Sequence, residues 1–251
     1  VEGRHFREED LFEHEGLWRC FEVHSRVAGT SKRDTLEGMN RAFEAFGRSL
    51  AQASHIVMTL GTAFAFRYLE KDMMVANCHK LPQQQFRREL SPVEELIHSL
   101  ENTLAAIREI NPGCQILLTV SPVRHVRDGL VENQRSKAHL IAAVHHVARG
   151  GSIHYFPAYE LLMDELRDYR FYKRDLIHPT EQAVDFVWEK FIEAWVDPAA
   201  IRVMTRVGAI QKQVAHRDVR PAESSGPDKN ALLKEKADAL SAEYPFMQFD
   251  L

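Results

Sequence analysis

Residues 174–191, RDLIHPTEQAVDFVWEKF, place an aspartate and a histidine three positions apart at the start of an amphipathic run. Asp175 and His178 fall on the turn that would enter a helix. Pro179 suits the first helical position, and Thr180 or His178 could cap the exposed amides. On such a turn the carboxylate can reach the imidazole, fix its tautomer and favour its protonated form. The pair has the chemistry of a general base and its orienting acid, although a helix start alone would also favour the aspartate.

The composition excludes several classes of protein. The chain has 251 residues, 45% of them hydrophobic, and a formal net charge of -4. It is therefore a globular protein without the basic field that would hold nucleic acid. Cys20, Cys78 and Cys114 are too scattered for a disulfide framework or a zinc site, so neither a metal nor another cofactor is predicted. No apolar run reaches the roughly 18 residues of a membrane span, and we expect a cytoplasmic protein.

The elements that must position the pair alternate between helix and strand. Apolar runs at 55–60, 115–120 and 153–156 indicate buried strands. Helical periodicity indicates helices over about 34–51, 91–110, 131–148 and from Pro179 onward. This alternation is typical of a parallel sheet covered by helices on both faces, so the sequence predicts an α/β fold.

Three strands are few for such a sheet, since sheets average about five or six. Either residues 1–33 supply strands that the pattern does not reveal, or strands lie upstream; the second is favoured. Beyond residue 196 the pattern changes to a helix, a polar linker at 217–230 and a short helix near 230–242. We therefore predict an α/β domain at residues 1–196 and a helical extension at residues 197–251.

Polar residues follow each predicted strand, at the carboxyl ends where ligands of parallel sheets bind. A long insertion at 63–90, which could hold a hairpin, follows the first strand. The residues expected to line this rim are Gly61, Thr62, Asn77, His79, Ser121, Arg124, His125 and Tyr172. Each alone could be a solvated loop residue, but their convergence favours a substrate pocket beside Asp175 and His178.

Two other pairs of neighbouring residues could carry chemistry. Cys78 and His79 are neighbours on an extended segment and would point to opposite faces, which disfavours a thiol nucleophile. His145 and His146 have no second ligand pair nearby in the sequence, which disfavours a metal site.

Several blocks together resemble the bacterial GSCFA-domain family, a branch of the SGNH (GDSL-like) hydrolase superfamily. They are LGT at 60–62, VANCHKLP at 75–82, TVSPVRH at 119–125, DG with Asn133 and SKA at 128–138, YFPAY at 155–159, DELRDYRFY at 164–172 and DLIHP at 175–179. The resemblance spans nearly the whole chain. It implies a flavodoxin-like, three-layer α/β/α fold and a serine nucleophile, with His178 as general base and Asp175 as its orienting carboxylate. The implied activity is that of an acyl-ester hydrolase or acyltransferase acting on a small ester, an acylated carbohydrate or a lipid.

Two departures from the family pattern qualify that activity. The Gly-Ser-Cys-Phe-Ala segment that carries the presumed nucleophile does not occur, so we expect it, with the first two strands, upstream of Val1. The superfamily's oxyanion-donor asparagine corresponds to Ala63, and Asn77 or His79 is expected to substitute for it. Because the nucleophile is absent from residues 1–251, we predict that this chain alone has no serine esterase activity. The alternative is a non-catalytic module that binds a carbohydrate or acyl group; a Gly-Ser-Cys-Phe-Ala-like segment upstream would favour the enzyme. Substrate identity and oligomeric state stay open.

Overall fold

A computed structural model describes residues 5–219 and 227–249 and has a mixed α/β fold. The strands are β1 (Phe12–His14), β2 (Leu17–Arg19), β3 (His55–Leu60), β4 (Phe64–Tyr68), β5 (Met73–Val75), β6 (Phe86–Leu90), β7 (Gln115–Val120) and β8 (Ile153–Phe156). The helices are α1 (Lys32–Gln52), α2 (Val93–Ile110), α3 (Leu130–Val147), α4 (Ala158–Glu160), α5 (Glu181–Trp195), α6 (Pro198–Val219) and α7 (Pro227–Glu243). The chain divides into two compact units, Val1–Val187 and Trp188–Leu251.

The first unit is built on a parallel sheet with strand order β3-β7-β8. Ile56, Ile116 and Ile153 lie in register across it. Alternate residues of β7 point to the same face, and Ile116, Leu118 and Val120 pack there with buried leucines of α2 and α3. This sheet and its helices confirm the predicted α/β class, and the three strands have the bounds that the apolar runs predicted.

One side of β3 is poorly covered. Ile56, Met58 and Leu60 pack against the core, but His55, Val57 and Thr59 alternate with them and are exposed. The side chain of Val57 retains 54% of its accessible surface. In the described ranges no strand pairs with the second edge of β3. An unpaired, partly apolar edge of this kind is a surface on which another strand can add.

The insertion after β3 forms a small antiparallel sheet of order β5-β4-β6. The hairpin expected there is β4-β5, and β6 is a third strand that the sequence pattern did not reveal. Residues 12–19 form a separate antiparallel ribbon, β1-β2. Of residues 5–33, none extends the parallel sheet, so the alternative in which this segment supplies the missing strands is wrong for the part described.

The C-terminal helices differ in extent from the prediction. Helix α6 runs to Val219 and α7 begins at Pro227, so only 220–226 of the predicted linker at 217–230 is left, and it lies outside the described residues. Buried side chains from both helices form a core within the second unit; they are Ile210, Leu233, Ala237 and Leu240.

Helix α5 begins at Glu181, two residues later than predicted. Thr180 caps it by accepting the N–H of Ala183 at 3.4 Å, so Pro179 precedes the cap.

Candidate active site

The loop before α5 brings Asp175 and His178 into contact. Asp175 Oδ2 accepts a hydrogen bond from His178 Nδ1 at 2.7 Å. Asp175 Oδ1 accepts the backbone N–H groups of Ile177 at 2.9 Å and His178 at 3.0 Å. The bond from the imidazole, followed by the two amides, holds the pKa of Asp175 well below its usual range. The carboxylate stays ionised and fixes the tautomer of His178, so that Nε2 is left as the basic nitrogen.

Backbone hydrogen bonds close this loop at its base. Lys173 N donates to the carbonyl of His178 at 2.7 Å, and Thr180 N donates to that of Phe171 at 2.8 Å. Tyr172 and Pro179 form an antiparallel bridge. Leu176, at the tip, has φ +58°, a strained conformation for a residue with a branched side chain. The positions of Asp175 and His178 therefore follow from a closed loop rather than from the helix alone.

Arg124 fastens the loop to the segment that follows β7. Its backbone N–H donates to the carbonyl of Ile177 at 3.3 Å, and its Nη1 donates to that of Leu176 at 3.0 Å. Its guanidinium lies over the ring of Tyr172, 4.1 Å from the centroid. The structure thus brings together Arg124, Tyr172 and the Asp175–His178 pair, residues that the sequence placed on one rim.

A buried lysine ties the ends of two neighbouring strands. Lys137 Nζ, from α3, donates to the carbonyl of Gly61 at 2.6 Å and to that of Ser121 at 2.7 Å. Its side chain is 1% exposed. Burial lowers its pKa to about 8, while the two carbonyl contacts favour the ammonium form. Lys137 is therefore a cation at neutral pH that holds Gly61 and Ser121 in place.

Two more polar residues of α3 position the same loops. Ser136 Oγ accepts the N–H of Ala63 at 2.7 Å and contacts Thr62 Oγ1 at 3.0 Å. Asn133 Oδ1 accepts the N–H of His125 at 2.8 Å. Asn133, Ser136 and Lys137 were part of a family block, but no positioning role was predicted for them. Their spacing, i, i+3 and i+4, places all three on one face of the helix and is the signal that could have identified them.

His125 lies against Gly61. A Cβ atom at Gly61 would come within 3.3 Å of His125 Nε2, so the glycine lets the ring lie this close to the end of β3 without a shift. Burial, followed by the charges of Lys137 and Arg88, lowers the pKa of His125. The imidazole is therefore neutral at pH 7 and has one N–H to donate beside the end of β3.

Asn77 and His79 have other surroundings. His79 is 2% exposed, and its Nε2 lies 2.6 Å from the carbonyl oxygen of Cys20. Its ring packs near those of Phe12 and Phe21. Asn77 Oδ1 accepts the N–H of His79 at 2.8 Å. These contacts join the insertion to the β1-β2 ribbon, and burial lowers the pKa of His79.

A cavity of about 170 Å³ adjoins Arg124 and Tyr172. Its other lining residues are Leu162, Met163, Leu166, Arg167, Asp168 and Tyr169.

In residues 5–219 and 227–249, no group of three or more His, Cys, Asp or Glu side chains could hold a metal ion. The described helices include none that is long and apolar enough to cross a bilayer.

The GSCFA family model matches residues 1–191, about three quarters of the chain. A search among curated proteins found no match.

Proposed function

The chain belongs to the GSCFA family, and on that premise we propose that it is the larger part of a serine-dependent acyl-ester hydrolase or acyltransferase of the SGNH type. The observation that carries the proposal is the 2.7 Å contact between Asp175 and His178, on a loop fastened beside the end of β7. An ionised carboxylate on one imidazole nitrogen leaves the other to act as a base. The proposed substrate is a small ester or an acylated glycan or lipid.

The proposed overall arrangement is a flavodoxin-like α/β/α sandwich with additional strands. The parallel order β3-β7-β8, with a helix in each connection, is consistent with it. The free edge of β3 and its exposed Val57 support the addition of at least one strand there. We infer that a preceding segment pairs with this edge and brings the serine to the rim. That segment would contain the Gly-Ser-Cys-Phe-Ala motif that residues 1–251 lack.

In the proposed reaction, the serine hydroxyl attacks the ester carbonyl carbon while His178 Nε2 takes its proton. Asp175 stabilises the imidazolium that forms. The tetrahedral intermediate expels the alcohol, which takes the proton from His178, and the acyl group stays on the serine. Attack by water then gives the carboxylic acid, and attack by an acceptor hydroxyl gives a new ester. A hydrolase and a transferase therefore share every step up to the attack on the acyl-enzyme, and differ only in whether water or an acceptor hydroxyl makes that attack.

The oxyanion needs a donor, because the superfamily's asparagine corresponds to Ala63. The N–H of Ala63 already donates to Ser136, and Asn77 and His79 make contacts elsewhere. We therefore assign the donor role to the neutral ring of His125, beside Gly61. A neutral imidazole can donate its one N–H to a developing oxyanion.

The test is hydrolysis of p-nitrophenyl acetate by a chain extended upstream to include the motif. His178→Ala should lower kcat by about 10³-fold or more, since the base and its proton transfer are lost. His146→Ala, which removes a partly exposed histidine of α3, is the matched control and should keep the activity of the parent. Full turnover by His178→Ala would exclude the proposal.

The same assay separates the candidate oxyanion donors. His125→Ala should lower kcat about 10²- to 10³-fold with little change in KM, the usual result of removing one oxyanion donor. Asn77→Ala should keep most of the parental kcat. If Asn77→Ala lowers kcat in this way and His125→Ala does not, the oxyanion donor is Asn77 of the insertion and not His125.

A further inference from the structure

The cavity of about 170 Å³ beside Arg124 and Tyr172 has an apolar floor and a cationic rim. The floor is formed by Leu162 and Leu166, which are 0% and 6% exposed, together with half-buried Met163. The guanidinium of Arg124 lies 4.1 Å from the centroid of the Tyr172 ring and 6.0 Å from that of Tyr169. The cavity therefore offers a hydrocarbon surface and a positive charge within a single small volume.

Other charged side chains of the lining already have partners of opposite charge. Arg167 Nη2 donates to Asp164 Oδ1 at 2.7 Å. Asp168 Oδ1 accepts the backbone N–H of Arg170 at 2.9 Å, and its Oδ2 lies 3.9 Å from Arg170 Nε. In the described part of the chain, no carboxylate pairs with Arg124, whose partners are the Leu176 carbonyl and two aromatic rings. Arg124 is the lining cation that can bind an anion without breaking an ion pair.

The volume limits the size of the ligand. An engineered apolar cavity of about 150 Å³ binds one benzene molecule, so a cavity of about 170 Å³ suits a group of about six heavy atoms. Pockets for drug-sized ligands start at about 300 Å³. A long fatty acyl chain is too large to lie wholly within this cavity, whereas a butyryl-sized group matches its volume.

We propose that this cavity binds a short-chain carboxylate of about six heavy atoms, with its hydrocarbon part on Leu162, Met163 and Leu166 and its charged end on Arg124. Because Arg124 also fastens the loop that carries His178, the ligand lies next to the proposed site. On the proposed function, this ligand is the acyl product, and the substrate is the ester of a short acid. Binding itself requires neither the nucleophile nor turnover.

The experiment is a titration of this chain, labelled with ¹³C at the methionine methyl groups, with sodium butyrate at constant ionic strength. Butyrate should shift the Met163 methyl signal, assigned with Met163→Leu, with a Kd on the order of 1 mM. Arg124→Gln should weaken binding about tenfold or more, because a charge-assisted contact is lost. Arg135→Gln, an exposed arginine paired with Glu132, is the matched control and should change the Kd less than about twofold.

Further probes test the size and chemistry of the ligand. Octanoate should bind no more tightly than butyrate, because the cavity holds only a short chain. Both 1-butanol, which lacks the charge, and phosphate, which lacks the hydrocarbon part, should bind about tenfold more weakly than butyrate. If Arg124→Gln perturbs all the methyl signals, Leu166→Phe replaces it, and by filling the cavity it should weaken butyrate about tenfold with Arg124 intact.

An unchanged Met163 signal at 50 mM butyrate, equal affinity in Arg124→Gln and Arg135→Gln, or affinity that keeps rising to octanoate would each overturn the proposal. Butyrate binding by a protein whose extended form hydrolyses no ester would leave this inference standing and remove the proposed function.

Discussion

At the scale of single residues, the Asp175–His178 contact and the burial of Lys137 matter most. The three-residue spacing of the first pair predicted a carboxylate within reach of an imidazole, and the two groups lie 2.7 Å apart. Lys137 has no such local partner, because its acceptors are Gly61 and Ser121, 76 and 16 positions away in the sequence. Burying a cation is costly unless it is hydrogen-bonded. The two carbonyl oxygens that accept from Lys137 offset part of that cost, and the same bonds fix two strand ends.

The burial of Lys137 should be visible in the pH dependence of stability. Its pKa in the folded protein is about 8, against 10.5 for an exposed lysine. Between these values the unfolded state binds more protons, so the free energy of unfolding should rise with pH, by on the order of 1–3 kcal/mol. Lys137→Met should lack this rise. Urea unfolding at pH 7.5 and pH 10 measures it.

The control for this prediction is Lys71→Met, which changes an exposed lysine in the β4-β5 turn and should keep the rise of the parent. If the parent and Lys137→Met show the same difference between the two pH values, the ammonium group of Lys137 is not buried as described.

At the scale of elements, the site depends on one helix and three loops. The first half of α3 presents Asn133, Ser136 and Lys137 to the segments after β3 and β7. The loop before α5 is closed by its own backbone bonds and fastened by Arg124. The insertion belongs to a different cluster, in which His79 contacts Cys20 and the aromatic rings of Phe12 and Phe21.

The contact between the β3 loop and His125 can be tested with two glycine substitutions. Gly61→Ala places a methyl group 3.3 Å from His125 Nε2, so the ring must move by a few tenths of an ångström. We expect a cost of about 1 kcal/mol and a shift of the His125 ring signals in NMR spectra. Gly47→Ala, in α1, meets no atom within 4 Å and should stabilise the protein by about 0.5–1 kcal/mol.

Chemical denaturation of the two variants measures both effects against the same parent. A Gly61→Ala protein that is as stable as the parent, with unshifted His125 signals, would show that the ring does not occupy this space.

At the scale of the whole molecule, the parallel sheet ends at a strand that is exposed on one face and unpaired on one edge within the described ranges. β7 shows the contrast, because Leu117 and Thr119 on its other face are 5% and 6% exposed. Parallel strands are normally buried on both faces. The exposed β3 edge is therefore the place where this chain should associate with another strand.

Self-association of this chain should depend on that edge. Val57→Lys puts a charge on the exposed face of β3 and should reduce concentration-dependent association, measured by sedimentation velocity. Leu69→Lys is the control, since Leu69 is 47% exposed in the turn between β4 and β5, which belong to the other sheet, and it should associate like the parent. Equal association of the two variants would show that β3 is not the contact surface.

The sequence alone determined the parts of the structure that depend on a short window of residues. The apolar runs predicted β3, β7 and β8 with their observed bounds, and the Asp-x-x-His spacing predicted a contact within one turn. Periodicity works there because successive side chains of a strand alternate between its two faces. The same reasoning placed Arg124 and Tyr172 near the pair, since strand ends meet at one rim.

Only the tertiary structure decided which distant residues share that rim. Asn77 and His79 follow a strand as closely as Arg124 does. However, the strands of the insertion pair with one another, and the insertion packs with aromatic side chains at and after the β1-β2 ribbon, in a cluster of its own. The two acceptors of Lys137 are distant in the sequence, and no residue near Lys137 indicates them. Such contacts depend on how whole elements pack, and packing is set by complementary surfaces that no local spacing encodes.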